Sequence, residues 1–329
     1  MEEIDKEIKA TPLLSISIPT WNRAKFLSVS LDSFLEQMKG INPEEVELFV
    51  SDNCSDDNTT EVVKSYIDKG LPITYNKNEE NIGASRNFLR CMQRASGKYI
   101  LLLGDDDFLK HGALKFLLDE LRGKEYGLVH IHKFDDIEDE VRVYTSPEDF
   151  LMKISYWITF MSGSIFRKDI VKQIAPEKYI HTHLLQVPYY ITSALSQEKN
   201  LLIGKDILAT SIDGANNGGY NFFEVFVQYY LDIWHEFELS GGIPHSTYCF
   251  LKKDIYYRFV RGFVYSLLFR HRNVKDESAK YVGNRKGFKI KGARRILYKY
   301  YGDCSYFYIS MVKMHIRKYL SIVYHWVKR

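Results

Sequence analysis

The sequence predicts an α/β fold in which a doubly wound, mostly parallel sheet is flanked by helices and followed by a helical C-terminal extension. Short apolar runs begin about every 25–35 residues, and apolar residues recur at helical spacing in most of the gaps between them. A polar loop follows each of the first four runs. Alternation of this kind is typical of βαβ units, whose parallel strands are buried on both faces. The runs predicted as strands are LLSISI (13–18), VELFV (46–50), PITY (72–75), YILLL (99–103) and GLVHI (127–131).

The second half of the chain follows a looser pattern. Further strands are predicted at 141–145, 163–166 and 201–212, with a helix around 184–196. From residue 221 onward the chain is predicted to be helical, at 222–239, 247–270 and 305–327, and 271–295 is predicted to be a linker or a mobile basic segment. We therefore predict an α/β domain over 1–220 and a basic, aromatic-rich helical region over 221–329.

Composition places the chain among ordinary soluble globular proteins, with 329 residues, 45% of them hydrophobic and 26% charged. Four cysteines without CxxC spacing indicate neither a disulfide framework nor a zinc site, and they favour a reducing, intracellular setting. The N-terminal run MEEIDKEIKA is unlike a signal peptide. No stretch approaches the ~18 consecutive apolar residues of a membrane span. We therefore expect no integral membrane segment.

Charge is divided unevenly along the chain. Residues 251–329 contain 20 Lys and Arg against 4 Asp and Glu, whereas residues 1–250 contain 25 against 38. Such a basic tail predicts contact with something anionic. Its last helix has an apolar line and off-line cations, which is typical of helices on anionic membrane surfaces. The line is Ile309, Val312, Ile316, Leu320, Val323 and Val327.

Two other interpretations of the tail stay open at this point. The apolar line can pack on the α/β domain, or on a second subunit in a homo-oligomer. Binding of nucleic acid would suit the charge, but no recognition motif accompanies it, so we predict no nucleic-acid partner.

Polar loops follow the first four predicted strands. They read PTWNR (19–23), SDNCSDDNT (51–59), NKNEENIGASRN (76–87) and GDDD (104–107). In open α/β sheets the carboxyl ends of parallel strands lie at one edge, and ligands bind there. The four loops therefore predict one functional site.

Three consecutive carboxylates, Asp105, Asp106 and Asp107, need a cation nearby, because adjacent carboxylates raise each other's pKa. Mg²⁺ or Mn²⁺ suits such oxygen ligands together with substrate phosphates. The alternative is an acidic turn that caps the next helix. Asp52 can accept a hydrogen bond from a nucleobase or start an Asx-turn. Arg86, at the start of a predicted helix, suits a phosphate or is a plain surface arginine.

Three runs together resemble the family 2 glycosyltransferases of the Rossmann-like GT-A fold, in the bacterial surface-polysaccharide branch that includes abequosyltransferase-like enzymes. They are LLSISIPTWNRAKFL, LFVSDNCSDDNTTEVV and NEENIGASRNFLRCMQRASGKYILLLGDDDFL, within about residues 12–135. The resemblance implies a nucleotide-sugar-binding catalytic domain over 1–220, in which Asp52 reads uracil or another base and Asp105 lies beside the ribose. The implied nucleotide-sugar-binding residues are Pro19, Thr20, Asn22, Arg23, Asp52, Asn53, Arg86 and Asp105.

The same resemblance makes GDDD the family's Asp-x-Asp metal motif, with Asp106 and Asp107 as ligands of Mn²⁺ or Mg²⁺ and Gly104 at the first acidic position. The family is inverting, and its usual base is an Asp in the region that corresponds to 175–190. This chain has no Asp there, which leaves His183, His181 and Glu177 as candidate bases. The two histidines can equally be helix-capping or half-buried groups.

The main hypothesis is a metal-dependent, inverting glycosyltransferase that uses a nucleotide sugar, a UDP-sugar by preference. It would act on a glycan or lipid-linked acceptor in surface polysaccharide synthesis, such as O-antigen or capsule. We expect it in the cytoplasm, peripheral to the inner face of the plasma membrane, with the loop 212–221 as a lid or a plain connector. One alternative is a nucleotidyltransferase or other phosphoryl-transfer enzyme, which would release pyrophosphate. The other is a non-catalytic membrane-binding or partner-binding adaptor.

Overall fold

The strands of the computed structural model begin close to the predicted apolar runs. The structure describes residues 11–134, 136, 139–211, 219–268 and 289–327. Within these residues the strands are β1 Leu14–Thr20, β2 Val46–Asp52, β3 Ile73–Lys77, β4 Tyr99–Leu102, β5 Asp107–Leu109, β6 Leu128–Ile131, β7 Val141–Tyr144, β8 Ser164–Arg167, β9 Asn200–Ile203 and β10 Leu208–Thr210.

Eight strands form one mixed sheet in the order β3-β2-β1-β4-β8-β6-β9-β7. Strands β3, β2, β1 and β4 are parallel to one another, and β6 is parallel to β9. Strands β8 and β7 run antiparallel to their neighbours. The structure confirms the predicted α/β class. Because β2 and β3 lie on one side of β1 and β4 on the other, the strand order reverses between β1 and β4, where α/β sheets bind ligands.

Helices connect these strands and form the C-terminal region. They are α1 Ala24–Gln37, α2 Thr59–Asp68, α3 Ala84–Arg94, α4 Ala113–Leu121, α5 Pro147–Ile154, α6 Gln186–Leu195, α7 Tyr230–Leu239, α8 His245–Ile255, α9 Arg261–Leu268, α10 Ala293–Tyr301 and α11 Ser305–Val327. Short turns of π-helix, Glu224–Tyr229 and Tyr256–Val260, lead into α7 and α9.

The core of the sheet explains why its strands read as unbroken apolar runs. All seven residues of β1 and all four of β4 are buried. Leu14, Ile16 and Ile18 have no exposed surface, and neither has Ser15 on the opposite face of β1. A strand that helices cover on both faces has no solvent side, so polar and apolar residues do not have to alternate along it.

The prediction of a single strand over 201–212 is wrong. Strand β9 pairs with β6 in the large sheet, whereas β10 leaves that sheet and pairs antiparallel with β5, with Thr210 opposite Asp107. The residues between β9 and β10 make the turn that separates the two sheets. Strand β5 begins inside the run of three aspartates and was not predicted, because that run was interpreted as a loop or helix cap.

The chain divides into two compact units, Met1–Ala215 and Asn216–Arg329. The functional assignment of the predicted regions 1–220 and 221–329 stays a prediction. In the second unit the predicted helix 247–270 corresponds to α8, a π-helical turn and α9, and α10 begins inside the predicted linker 271–295. Most of that linker lies outside the described residues. Within the described residues, no helix combines the length and the hydropathy that a membrane span requires.

Candidate active site

The acidic run forms a tight turn directly after β4. The amide of Asp107 donates to the carbonyl of Gly104 at 3.0 Å, and the amide of Gly104 donates to Ser162 Oγ at 2.9 Å. A Cβ atom at Gly104 would lie 3.0 Å from Asp107 Oδ2 and 3.1 Å from Asp106 Oδ1. Glycine at position 104 therefore leaves the space in which the carboxylates of Asp106 and Asp107 pack.

Asp105, in the turn after β4, contacts residues at and after the end of β1, where the strand order of the sheet reverses. Its Oδ2 accepts a hydrogen bond from Thr20 Oγ1 at 2.7 Å, and its Oδ1 lies 3.2 Å from Arg23 Nε. Only 5% of Asp105 is exposed. Burial raises the pKa of this carboxyl to about 7, and the Asp106 and Asp107 carboxylates add to the rise, while Arg23 and Thr20 oppose it. Thr20, Arg23 and Asp105 were all predicted, and the structure brings them together.

The Asp106 carboxylate forms an ion pair with Arg23 and is also partly exposed to solvent. Its Oδ2 lies 2.7 Å from Arg23 Nη2, and a fifth of the side chain is exposed. Its Oδ1 has no hydrogen-bond partner among the residues that the structure describes. The Arg23 guanidinium also stands over the Phe26 ring at 4.8 Å. Within the protein, Arg23 therefore supplies the positive charge next to the three aspartates.

Asp107 is anchored by hydroxyl groups on both sides. Its Oδ2 accepts a hydrogen bond from Ser162, and its Oδ1 accepts one from Thr210 at 2.5 Å. Burial raises its pKa, and the two hydroxyl groups oppose this. The predicted second metal ligand thus has both oxygens engaged. Sequence reasoning missed Ser162 and Thr210, because they are 55 and 103 residues away along the chain and belong to no local motif.

Asp52, the predicted base-reading residue, is fully buried at the end of β2. Its Oδ2 accepts a hydrogen bond from the Tyr75 hydroxyl at 2.6 Å, and its Oδ1 accepts one from the Ser55 amide at 2.8 Å. The second bond is a local turn of the kind expected for the structural alternative. Recognition of a nucleobase by Asp52 stays a prediction.

Asn22 and Asn53 shape the loops that border the turn. Asn22 has a φ of 53°, its amide donates to Ser55 Oγ at 2.9 Å, and its Oδ1 accepts from the Asp56 amide at 2.9 Å. Asn53 Oδ1 accepts from the Ile82 amide at 3.0 Å. These contacts connect the loops after β1, β2 and β3, so both side chains hold the rim of the site in place.

Pro19 and Arg86 differ in exposure. Pro19 is buried within β1, opposite Ser51 of β2. Arg86 is exposed in the first turn of α3, directly after Gly83, whose φ of 83° turns the chain into the helix. Arg86 has no hydrogen-bond partner within the described part of the chain, and its guanidinium is accessible to an anion. Both roles in nucleotide binding stay predictions.

The candidate bases lie on the stretch between β8 and α6. Glu177 is exposed in the short turn Pro176–Lys178, His181 is exposed in the turn Ile180–Thr182, and His183 follows it with a φ of 59°. The second turn packs against α3. The structure selects none of the three, so each stays a candidate. Most of the predicted lid or connector, residues 212–218, lies outside the described residues.

The acidic turn fits a divalent cation only if the cation takes further ligands from a substrate. Among the described residues, no three His, Cys, Asp or Glu side chains form a metal-binding group. The Asp106 carboxylate nevertheless offers a hard oxygen on its open side, with Asp105 next to it. Mg²⁺ is commonly held by one or two carboxylates plus substrate phosphates. The residues therefore fit Mg²⁺ or Mn²⁺ as part of a cation and diphosphate complex.

A mixed sheet whose strand order reverses at an acidic turn has the architecture of the GT-A fold. The solved structure of S. aureus TarS residues 1–349 in complex with UDP has this fold and superimposes with a TM-score of 0.59, at 16% identity, over 80% of this chain and 76% of the TarS 1–349 chain. Residues 15–179, half of the chain, match the model of the family described as glycosyl transferase family 2. The chain belongs to this family and is a glycosyltransferase.

Two of the curated relatives are bacterial glycosyltransferases. Abequosyltransferase RfbV of Salmonella typhimurium is 38% identical over 106 residues, which are 32% of this chain and 31% of the relative. A Campylobacter jejuni GalNAc(5)-diNAcBac-PP-undecaprenol β-1,3-glucosyltransferase is 25% identical over 280 residues, 80% of this chain and 89% of the relative. The chain spans about a third of the abequosyltransferase and most of the second enzyme. The resemblance inferred from the sequence is confirmed, and neither the nucleotidyltransferase nor the adaptor is supported.

Proposed function

We propose that this glycosyltransferase moves a sugar from a UDP-sugar or related nucleotide sugar to a glycan or lipid-linked acceptor in bacterial surface polysaccharide synthesis. The observation that carries the proposal is the contact of Asp105 and Asp106 with Thr20 and Arg23 at the reversal of strand order. The Campylobacter jejuni relative is named for a PP-undecaprenol-linked acceptor, and this supports the choice of acceptor class.

The reaction would be one in-line displacement with inversion. The acceptor oxygen bonds to the anomeric carbon while that carbon's bond to the diphosphate oxygen breaks, and the acceptor proton passes to a base. A divalent cation at the turn, when bound, would stabilise the charge on the leaving nucleoside diphosphate. Asp106 would hold that cation, Asp105 would position the ribose from its bond to Thr20, and Arg23 would turn from the carboxylates to the phosphates.

The C-terminal region would bring the enzyme to its acceptor. Exposed apolar residues on α11, within a segment rich in Lys and Arg, support peripheral contact with the inner face of the plasma membrane. That surface is where a lipid-linked acceptor would be met. A homo-oligomer through the same helix is the competing arrangement.

A donor screen tests the proposed reaction. The purified full chain is mixed with UDP-, GDP-, CDP- and dTDP-sugars, Mn²⁺ and a lipid extract that supplies the acceptor. We expect release of a nucleoside diphosphate from one donor class, with the new glycosidic bond inverted relative to the donor by NMR. Release of pyrophosphate, or a product of retained configuration, would contradict the proposal.

The base can be identified with His183→Gln, His181→Gln and Glu177→Gln variants. We expect one of them to lose about 10²–10⁴-fold in kcat, the usual contribution of a general base. Binding of the nucleotide should not change in that variant, and the acid limb of its pH–rate profile should disappear. Exposed His111 in a His111→Gln variant is the matched control. If all three variants stayed within tenfold of the wild type, the base would have to lie elsewhere.

A further inference from the structure

A cavity of about 430 Å³ opens on the C-terminal unit between α9 and α11, with the π-helical turn before α9 at one side. It belongs to neither the acidic turn nor the loops around it. The residues that line it are Tyr257, Arg261, Gly262, Tyr265, Ile309, Ser310, Lys313, Met314 and Arg317.

Among the described residues, the lining is cationic and contains no carboxylate. Arg261 comes from α9, and Lys313 and Arg317 come from α11, one helical turn apart. Like charges at this spacing repel each other on a helix. The Arg261 guanidinium is placed over the Tyr257 ring at 5.1 Å, which fixes its position at the wall. The three cations that face the cavity repel one another, and a bound anion would relieve this repulsion. The Tyr257 hydroxyl can donate a hydrogen bond to the same anion.

The cavity is continuous with an exposed apolar stripe. Helix α11 buries Ser310 and Met314, and on its other face it exposes Ile309, Val312, Ile316 and Leu320 by 53%, 57%, 53% and 60%. Ile309 belongs to both the stripe and the cavity lining. The predicted apolar line thus faces solvent over these residues and does not pack on the body of the unit. An apolar stripe beside cations is the surface that interfacial helices present to anionic lipid.

We propose that the cavity holds the phosphate of an anionic phospholipid headgroup, between Arg261, Lys313 and Arg317, while the stripe of α11 enters the interfacial layer of the membrane. Charge complementarity favours this occupant, because residues 251–329 contain 20 cationic against 4 acidic side chains. A symmetric contact between two copies through this face would bring the same cations against each other. The inference rests on the membrane contact within the proposed function, and it is independent of sugar transfer.

Flotation of the full chain with vesicles tests the site. One set of vesicles is phosphatidylcholine alone, and the other contains phosphatidylglycerol. We expect binding only to the second set, weakened roughly 30-fold in Lys313→Ala/Arg317→Ala, because each cation at an anionic surface contributes on the order of fivefold. Arg294→Ala/Arg295→Ala removes the same charge from exposed positions of α10 outside the cavity, and it should lose much less. Val312→Ser/Ile316→Ser, with the cavity intact, should also lose vesicle binding.

Other outcomes would overturn the site. Equal losses in the two double-alanine variants would mean diffuse attraction by the whole basic surface. Equal binding to both vesicle types would exclude an anionic headgroup, and soluble glycerol phosphate that bound as tightly as vesicles would exclude a lipid source. If the wild type formed a dimer and bound no vesicles, and Val312→Ser/Ile316→Ser dissociated that dimer, the stripe would be an interface with a second copy. Binding of UDP, measured in parallel, reports the active site separately.

Discussion

An Asp106→Asn variant is expected to lose about 10³-fold in kcat/KM for sugar transfer, with the fold intact. The change removes the negative charge that faces Arg23 while preserving the size of the side chain. Cation-assisted stabilisation of a leaving group provides several kcal/mol, and each 1.36 kcal/mol is tenfold in rate. Steady-state kinetics at saturating Mn²⁺ measures the loss.

Asp68→Asn is the matched control for this variant, because Asp68 is exposed at the end of α2 and the same chemical change there should leave activity within twofold. Thermal unfolding of both variants shows whether the fold is preserved. If Asp106→Asn were about as active as the wild type, the acidic turn would have no role in sugar transfer.

The second large effect expected is a pH dependence of cation and nucleotide binding that is centred near 7. Burial raises the pKa of Asp105 to about 7, so this carboxyl is largely protonated at pH 6 and ionised at pH 8. A cation held by Asp106, next to this carboxyl, favours its ionised form, so proton release accompanies cation binding. We therefore expect the affinity for Mn²⁺ with UDP to fall by up to about tenfold for each pH unit below 7.

The same shift predicts the opposite trend for the protein without ligand. Because the folded pKa of Asp105 lies above the unfolded one, the folded state binds more protons between about pH 4 and pH 7. The contribution of Asp105 to the free energy of unfolding therefore falls as the pH rises through that window. Thermal unfolding at pH 5.5 and 8, with and without Mn²⁺ and UDP, measures both trends. An equal stabilisation by ligand at both pH values would contradict the role of Asp105.

Much of the site was readable from the sequence, because it depends on the ends of parallel strands. Thr20 ends β1 and Asp105 follows β4, and both could be placed at one edge of the sheet from the strand pattern alone. Arg23 was assigned to the nucleotide by resemblance, and the structure adds its ion pairs with Asp105 and Asp106. Contacts across a switch point follow from topology, which periodicity predicts well.

The parts that sequence reasoning missed depend on distant packing. Nothing near Ser162 or Thr210 indicates that they bind Asp107, since the contacts arise only when the small sheet of β5 and β10 forms. The break between β9 and β10 was also missed, because the residues on both sides of it are apolar and β-forming. The direction of the apolar line on α11 was also open, since helical spacing alone does not show whether a stripe faces a core or solvent.

Calorimetric titration of UDP, GDP, CDP and dTDP, with and without Mn²⁺, tests the central claim most directly. We expect the wild type to bind one nucleotide, with an affinity that Mn²⁺ increases and that Asp106→Ala abolishes. Binding of no nucleotide under any metal condition, or equal binding by the wild type and the variant, would contradict a cation-dependent nucleotide-sugar site at the acidic turn.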